Sequence, residues 1–186
     1  MPASCWAKAK PTYFYDELRV DEGIFMTDKQ FISISSKKQQ LDFYLDGRII
    51  ASYAISTGKN GLGEQLGSEC TPRGWHAIYS RIGLNAAENS VFVGREWTGE
   101  IYTEALAKTF PGRDWILTRI LQLDGLEPGR NQGGDVDSLK RTIYIHGTPD
   151  STTLGVPGSK GCIRMRNKDI IELASQVEIG TRVYIE

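Results

Sequence analysis

The sequence predicts a mainly β fold, and three observations lead to this prediction. Several short segments alternate apolar and polar residues with a period of two, which is typical of strands with one buried face. Turn-forming residues separate these segments, most clearly at Asp46-Gly47. One clear helical pattern stands near the C-terminus, where apolar residues recur with a 3.6-residue period. Many short strands and one principal helix indicate a mainly β architecture.

The composition indicates one soluble globular domain. A chain of 186 residues can bury a proper core, and 40% hydrophobic with 24% charged residues is ordinary for such domains. The net charge of −1 gives no electrostatic reason to expect nucleic acid or an anionic membrane as a partner. No apolar run approaches the roughly 18 residues that a membrane-spanning helix needs. We therefore expect a monomer that binds no nucleic acid and has no membrane span.

The N-terminal region differs from the rest of the chain. Residues 1–29 are polar and irregular, which predicts an arm lying over a folded domain of residues 30–186. The first residues lack the apolar segment of a secretory signal. The three cysteines, Cys5, Cys70 and Cys162, are an odd number and do not form a disulfide framework, so we expect Cys162 to be a free thiol.

The first half of the domain predicts strands joined by turns. A strand begins at Phe31, and Asp46-Gly47 then joins two alternating segments into a hairpin, because this dipeptide tolerates positive φ at both central positions. Further along, the sequence predicts strands over 75–82, 91–93 and 115–123, a short helix over 103–110 and a long polar loop over 124–140. Loops of this length in a compact domain often serve a functional site.

Two features of this half resemble functional sites, but we predict neither a phosphate-binding loop nor a metal site here. Residues 56–63 are glycine-rich and follow a strand, but no Gly-Lys-Ser/Thr closes the segment and no apolar helix follows, so we expect a flexible loop at the rim of a cleft. His76 lies near Cys70, but the histidines and cysteines lack metal-ligand spacing. We expect His76 to be a strand residue with a local hydrogen-bond partner, and no metal site.

The residues best suited to chemistry follow the long loop. Residues 142–146 alternate polar and apolar side chains, so a strand places His146 opposite the apolar face. Gly147 lets the chain leave this strand sharply. A polar loop then leads to Ser159-Lys160-Gly161-Cys162.

The thiol of Cys162 can act as a nucleophile. Cys162 and Arg164 alternate with apolar residues, so their side chains share one face of a short strand. A thiol reacts as the thiolate, which needs a base or a positive neighbour, and His146 is a candidate base. A single cysteine is often a small buried hydrophobe instead. Gly161 at the end of a polar loop favours the exposed, reactive thiol.

The last part of the chain predicts the principal helix and a closing strand. Asn167 or Asp169 is expected to cap the helix, Gly180 follows its end, and residues 182–185 form the strand. The apolar positions of the helix are Ile170, Ile171, Leu173, Ala174 and Val177.

These motifs resemble the signature of the L,D-transpeptidase (YkuD-type) catalytic domain family. The resemblance rests on His146-Gly147-Thr148, on the segment from Ser159 to Met165, and on the turn Thr71-Pro72-Arg73-Gly74. It covers roughly residues 30–185. Lys160 departs from the pattern, because the family often has histidine there.

The resemblance implies a β-sandwich of mixed sheets with the C-terminal helix packed on one sheet, and a catalytic cysteine at the mouth of a cleft. It implies that Cys162 attacks an amide carbonyl to form a thioester, with His146 as the base. The carbonyl of Gly147 would orient the imidazole, and the backbone N–H groups of Gly161 and Cys162 would form an oxyanion hole. A neighbouring imidazolium would lower the pKa of the thiol.

The implied substrates are the stem peptides of peptidoglycan, with an amine of a second stem as acyl acceptor and no cofactor. Carbapenems and other β-lactams are implied covalent inhibitors. Around the substrate we expect Ser159 to fix the loop, or to be an ordinary turn serine. Arg164 either binds a substrate carboxylate or pairs with a structural acid. Lys160 either faces the sulfur or extends into water.

Two other functions remain open at this stage. A hydrolase could use the same pair with water as acceptor, because cleft shape and water exclusion choose the acceptor. A catalytically silent wall-binding module is the third possibility, although it would need neither His146 nor Cys162. The substrate class points to the cell envelope, yet no export signal is visible in the sequence.

Overall fold

A computed structural model describes residues 29–186, which form ten strands and two helices. The predicted arm over residues 1–29 lies outside the described residues, apart from Lys29. The strands are β1 Gln30–Ser35, β2 Gln40–Leu45, β3 Arg48–Ser56, β4 Gly74–Ile82, β5 Ser90–Val93, β6 Glu96–Ile101, β7 Ile116–Gly125, β8 Tyr144–Thr148, β9 Ile163–Arg166 and β10 Arg182–Ile185. The helices are α1 Glu104–Thr109 and α2 Asn167–Gln176.

The described strands form one sheet that closes on itself. Its order is β4-β10-β1-β2-β3-β9-β8-β7-β5-β6, and an additional pairing of β4 with β7 closes the ring. The pairs β1–β10 and β8–β9 are parallel, and the other neighbours are antiparallel. The mainly β class and the mixed pairing are confirmed. The predicted sandwich is wrong, because β4 hydrogen-bonds to both β10 and β7 and leaves no two separate sheets.

The closed sheet and α2 share one apolar core. Ile145 of β8 and Ile163 of β9 are fully buried in it, together with Ile170 and Leu173 of the helix. The helix packs against β7, β8 and β9. This confirms the predicted helix on the sheet, and it leaves the opposite face of β8 and β9 for polar side chains.

Most of the predicted strands, turns and helix ends are confirmed. Asp46 and Gly47 both have positive φ, at 48° and 74°, and they join β2 to β3 as the hairpin signal predicted. Thr103 caps α1 by accepting a hydrogen bond from the Leu106 N–H, and Pro111 lies just beyond its end. Strand β6 was not predicted. Neither helix of the described residues is long and apolar enough to cross a membrane.

Three local predictions around the site are wrong. Strand β8 begins at Tyr144, because Thr142 has a φ of 56°. Gly147 does not end the strand but lies within it. Helix α2 has Arg166 as its N-cap without a side-chain cap bond, and Asn167 is its first residue, so neither predicted cap holds.

Candidate active site

Parallel pairing of β8 with β9 brings the two candidate reactive residues together. The register pairs His146 with Arg164, and Cys162 lies two residues before that arginine. Because alternate residues face opposite sides of a strand, His146, Cys162 and Arg164 share the face away from the main core. Cys162 packs there against a small apolar cluster that includes Tyr144 of β8.

His146 is fixed in one orientation by its own strand. Its Nδ1 lies 2.8 Å from the carbonyl oxygen of Gly147, so the Nδ1 proton donates to that oxygen and Nε2 is left as the basic nitrogen. The imidazole is 1% exposed, and burial lowers its pKa to about 4. The Gly147 hydrogen bond and the Asp114 carboxylate oppose this shift, whereas Arg164 adds to it. The imidazole is therefore neutral at pH 7.

Gly147 is required by close packing. A Cβ added at this residue would lie 2.7 Å from the Leu117 carbonyl oxygen and would also collide with Oδ1 of Asn167. Asn167 is held there because its Oδ1 accepts a hydrogen bond of 2.7 Å from Thr118 Oγ1 and its Nδ2 donates to Asn89. The start of α2 thus packs directly on the peptide that orients His146.

The Cys162 thiol is half-buried beside the start of β8. Its Sγ lies 3.4 Å from the carbonyl oxygen of Thr142, and the backbone N–H of Tyr144 hydrogen-bonds to the sulfur. Burial raises the pKa of the thiol, as does the Asp114 carboxylate, and this outweighs the lowering by the Tyr144 N–H and by nearby arginines. Both pKa shifts oppose the thiolate–imidazolium pair that the resemblance implies, because burial disfavours each charged form.

The loop before Cys162 is held by Ser159. The Ser159 hydroxyl accepts a hydrogen bond of 3.1 Å from the Gly161 N–H and donates one of 2.5 Å to the Cys162 carbonyl oxygen. Gly161 has a φ of +117°, which only glycine adopts readily, and its carbonyl oxygen accepts a hydrogen bond of 2.8 Å from Thr71. Because its N–H is already bonded to Ser159, the expected oxyanion-hole role of Gly161 is not supported.

The glycine-rich loop over 56–63 packs against the same segment. The Lys59 N–H donates to the Ser159 carbonyl oxygen at 2.9 Å, and the Ser159 N–H donates to Thr57 at 2.9 Å. A Cβ at Gly58 would lie 2.7 Å from the carbonyl oxygen of Glu69. The expectation of a flexible loop is wrong, because backbone hydrogen bonds tie this loop to Ser159 in the segment before Cys162.

The two cationic residues of the motif differ in their surroundings. Arg164 pairs with Asp114 at 2.8 Å and donates to the Gly158 carbonyl oxygen at 2.9 Å, which matches the alternative in which it serves an acid. Lys160 is exposed, and its charge adds to the lowering of the Glu69 pKa, which is caused chiefly by the hydrogen bond from Lys59. Lys160 thus extends into water, as one of the two alternatives predicted.

His76 does not belong to the site, but it fixes a nearby loop. It is fully buried, with Nδ1 3.0 Å from the Gly74 carbonyl oxygen and Nε2 3.0 Å from Ser138 Oγ. Burial lowers its pKa to about 4. The prediction of a strand residue with a local hydrogen-bond partner is confirmed by Gly74, and Ser138 is a second, distant partner. Within residues 29–186 no group of three metal-binding side chains occurs.

A cleft of about 540 Å³ opens next to Thr142, and neither Cys162 nor His146 is among its lining residues. Thr142, whose carbonyl oxygen contacts Cys162 Sγ, forms part of its wall. Its other lining residues are Tyr79, Arg95, Gln122, Asp137, Leu139 and Lys140. Three of these residues, Asp137, Leu139 and Lys140, lie in the long polar loop that the sequence linked to a functional site. The sequence singled out neither the other three nor Asp114. Thr71, which holds Gly161, begins the quoted Thr-Pro-Arg-Gly turn.

Comparison with known proteins gives one consistent result. A family model described as the L,D-transpeptidase catalytic domain matches residues 29–185. YkuD of Bacillus subtilis, named as an L,D-transpeptidase, is 54% identical over 61 residues, which are 30% of this chain and 37% of that protein. YqjB of the same organism, named likewise, is 26% identical over 156 residues, which are 83% of this chain and 70% of that protein. The match to the Bacillus YkuD proteins thus spans little more than a third of their length.

Solved structures share the fold. An L,D-transpeptidase from Enterococcus faecium superposes with a TM-score of 0.53 at 17% identity, covering 86% of this chain and 50% of that one. L,D-transpeptidase 3 from Mycobacterium tuberculosis, in complex with a faropenem-derived adduct, gives a TM-score of 0.52 at 16% identity, covering 85% of this chain and 60% of that one. At these identities the likeness concerns the fold alone.

Proposed function

This chain belongs to the L,D-transpeptidase catalytic domain family, and on that premise we propose that it is a cysteine-nucleophile transpeptidase acting on peptidoglycan stem peptides. The observation that carries the proposal is the placement of His146 in β8 and of Cys162 just before the parallel strand β9, on one face, with His146 Nδ1 bonded to Gly147. This arrangement leaves Nε2 as the basic nitrogen on the face of the thiol. A nucleophile with an oriented base is the minimal apparatus for acyl transfer.

The acylation step begins with both groups neutral. As Cys162 Sγ attacks the carbonyl carbon of the donor peptide, its proton passes to His146 Nε2, and the new S–C bond forms. The amide C–N bond then breaks, and the leaving amine takes the proton from Nε2. The product is a thioester on Cys162. General-base transfer of this kind typically contributes about 10²–10⁴ in rate.

The second step returns the enzyme to its starting state. The amine of a second stem attacks the thioester, and Nε2 accepts the proton that this nitrogen loses. The C–S bond breaks, and the sulfur takes the proton back. Water in place of the amine would give hydrolysis, so the cleft must favour the amine over water.

The test uses defined tetrapeptide stems with and without an acceptor amine. Mass spectrometry of the wild-type protein should show one acyl group on Cys162, and a cross-linked product when the acceptor is present. Cys162→Ala should form no acyl-enzyme, whereas Cys70→Ala is the matched control and should react normally. Turnover by Cys162→Ala would refute the assignment, and hydrolysed product alone would establish the hydrolase.

β-Lactams offer an independent probe of the same thiol. A faropenem-derived adduct and an avibactam carbamoyl enzyme occur in solved neighbours of this fold. We propose that carbapenems acylate Cys162 and raise the intact mass by one inhibitor. An unchanged mass after long incubation with several carbapenems would count against an accessible transpeptidase cleft.

A further inference from the structure

Arg95 occupies a backbone position that rarely suits its side chain. Gly94 and Arg95 are the two central residues of the turn between β5 and β6, with φ values of 58° and 74°. Turns with positive φ at both positions strongly favour Asn-Gly, because positive φ strains a residue that carries a Cβ and Asn tolerates it better than most. Strained residues of this kind cluster at functional sites.

The side chain of Arg95 lines the cleft next to Thr142, whose carbonyl oxygen contacts the Cys162 sulfur. Its guanidinium donates a hydrogen bond of 3.0 Å to the hydroxyl of Tyr144, and Arg95 lines the cleft together with Thr142. Tyr144 in turn gives its backbone N–H to the Cys162 sulfur. The Tyr144 side chain therefore links the Arg95 guanidinium to β8, whose backbone contacts the Cys162 sulfur.

The guanidinium of Arg95 still has N–H donors that can bind an anion. Arg95 takes part in none of the six ion pairs of the described residues. Lys140, the other cation of the cleft, lies 3.4 Å from Asp135. Asp137 accepts backbone N–H groups of its own loop. A guanidinium has five N–H donors in a planar fork, and the bond to the Tyr144 hydroxyl occupies one of them.

We propose that Arg95 binds a carboxylate of the donor peptide beside the scissile bond, an inference that rests on the proposed function. The residue that leaves the donor carries a free α-carboxylate, and an acidic side chain within the stem would carry another. The guanidinium fits either carboxylate through two parallel N–H···O bonds. Arg95 is thereby a substrate-binding residue of the acylation step.

The experiment measures binding by calorimetry in the Cys162→Ala background, so that its result does not depend on turnover. Three peptides are compared: the free acid, its C-terminal carboxamide, and the peptide with the stem side-chain carboxylate amidated. Cys162→Ala should bind the free acid about tenfold more tightly than one of the two amides. The amide that binds more weakly identifies the carboxylate that Arg95 contacts. Adding Arg95→Gln should abolish that preference, and Arg95→Lys should retain part of it.

The control is Arg48→Gln, because Arg48 follows the turn of the β2–β3 hairpin and does not line the cleft. This variant should keep the full preference for the free acid. Equal weakening of all three peptides by Arg95→Gln would overturn the proposal, as would an unchanged preference. Acylation of wild-type protein by the same peptides is measured separately. If the carboxylate preference is present but no thioester forms, the transpeptidase assignment fails while the role of Arg95 stands.

Discussion

Lowering the pH should destabilise this protein in a window set by its two histidines. His76 and His146 are both buried and neutral in the fold, with pKa values of about 4. In the unfolded chain each returns to its ordinary pKa of about 6.5. The folded pKa is the lower of the two, so the unfolded state binds more protons between these values. The stability contributed by neutral histidines is fully present above about pH 6.5 and is lost as pH falls toward 4.

The size of the effect follows from the two pKa values. With an ordinary pKa of about 6.5 and a folded pKa of about 4, each histidine lowers the free energy of unfolding by about 1 kcal/mol at pH 6 and about 2 kcal/mol at pH 5, relative to pH 8. The two sites lie on different strands and share no hydrogen-bond partner, so their effects should add. The total expected loss at pH 5 is about 4 kcal/mol, a large share of the stability of an ordinary domain.

Urea unfolding at a series of pH values between 8 and 5 measures this loss. His146→Gln should retain about half of the pH dependence, because only His76 then takes up a proton. The chain has two histidines, so proton NMR of the folded protein should show two imidazole signals that stay neutral down to about pH 5. A loss below about 1 kcal/mol over this range, or imidazoles that titrate near pH 6.5 in the folded protein, would refute the argument.

Two further predictions concern the site itself. Gly147→Ala should lower the free energy of unfolding by roughly 2–4 kcal/mol in urea titrations, because its Cβ would lie 2.7 Å from the Leu117 carbonyl oxygen. Gly133→Ala, which has open space but a φ of +84°, should cost only about 1 kcal/mol, and equal costs would contradict the packing argument. Iodoacetamide should alkylate Cys162 more slowly at pH 7 than a simple thiol of pKa about 8.5, since burial raises the pKa of Cys162. If the alkylation rate instead has its pH midpoint below 8.5, the result would support the thiolate–imidazolium pair.

The sequence determined the features that depend on neighbours along the chain. Alternating residues predicted most of the strands, and Asp46-Gly47 predicted its hairpin because positive φ at both turn positions is a local requirement. The Ser159–Cys162 segment and His146 were singled out in the same way, from residue type and motif. Their placement on adjoining strands agrees with that prediction.

The tertiary structure decided everything that depends on distant partners. Whether the strands form two sheets or one closed ring rests on the pairing of β4 with β7, which no local pattern encodes. The role of Gly147 changed from a turn to a contact point, because Asn167, twenty residues later, packs on it. The motif implied an imidazolium beside a thiolate, whereas burial in the fold lowers the pKa of His146 and raises that of Cys162, which disfavours both charged forms. Burial is a property of the whole fold, and it is the physical reason why the chemistry of this pair could not be deduced from the motif alone.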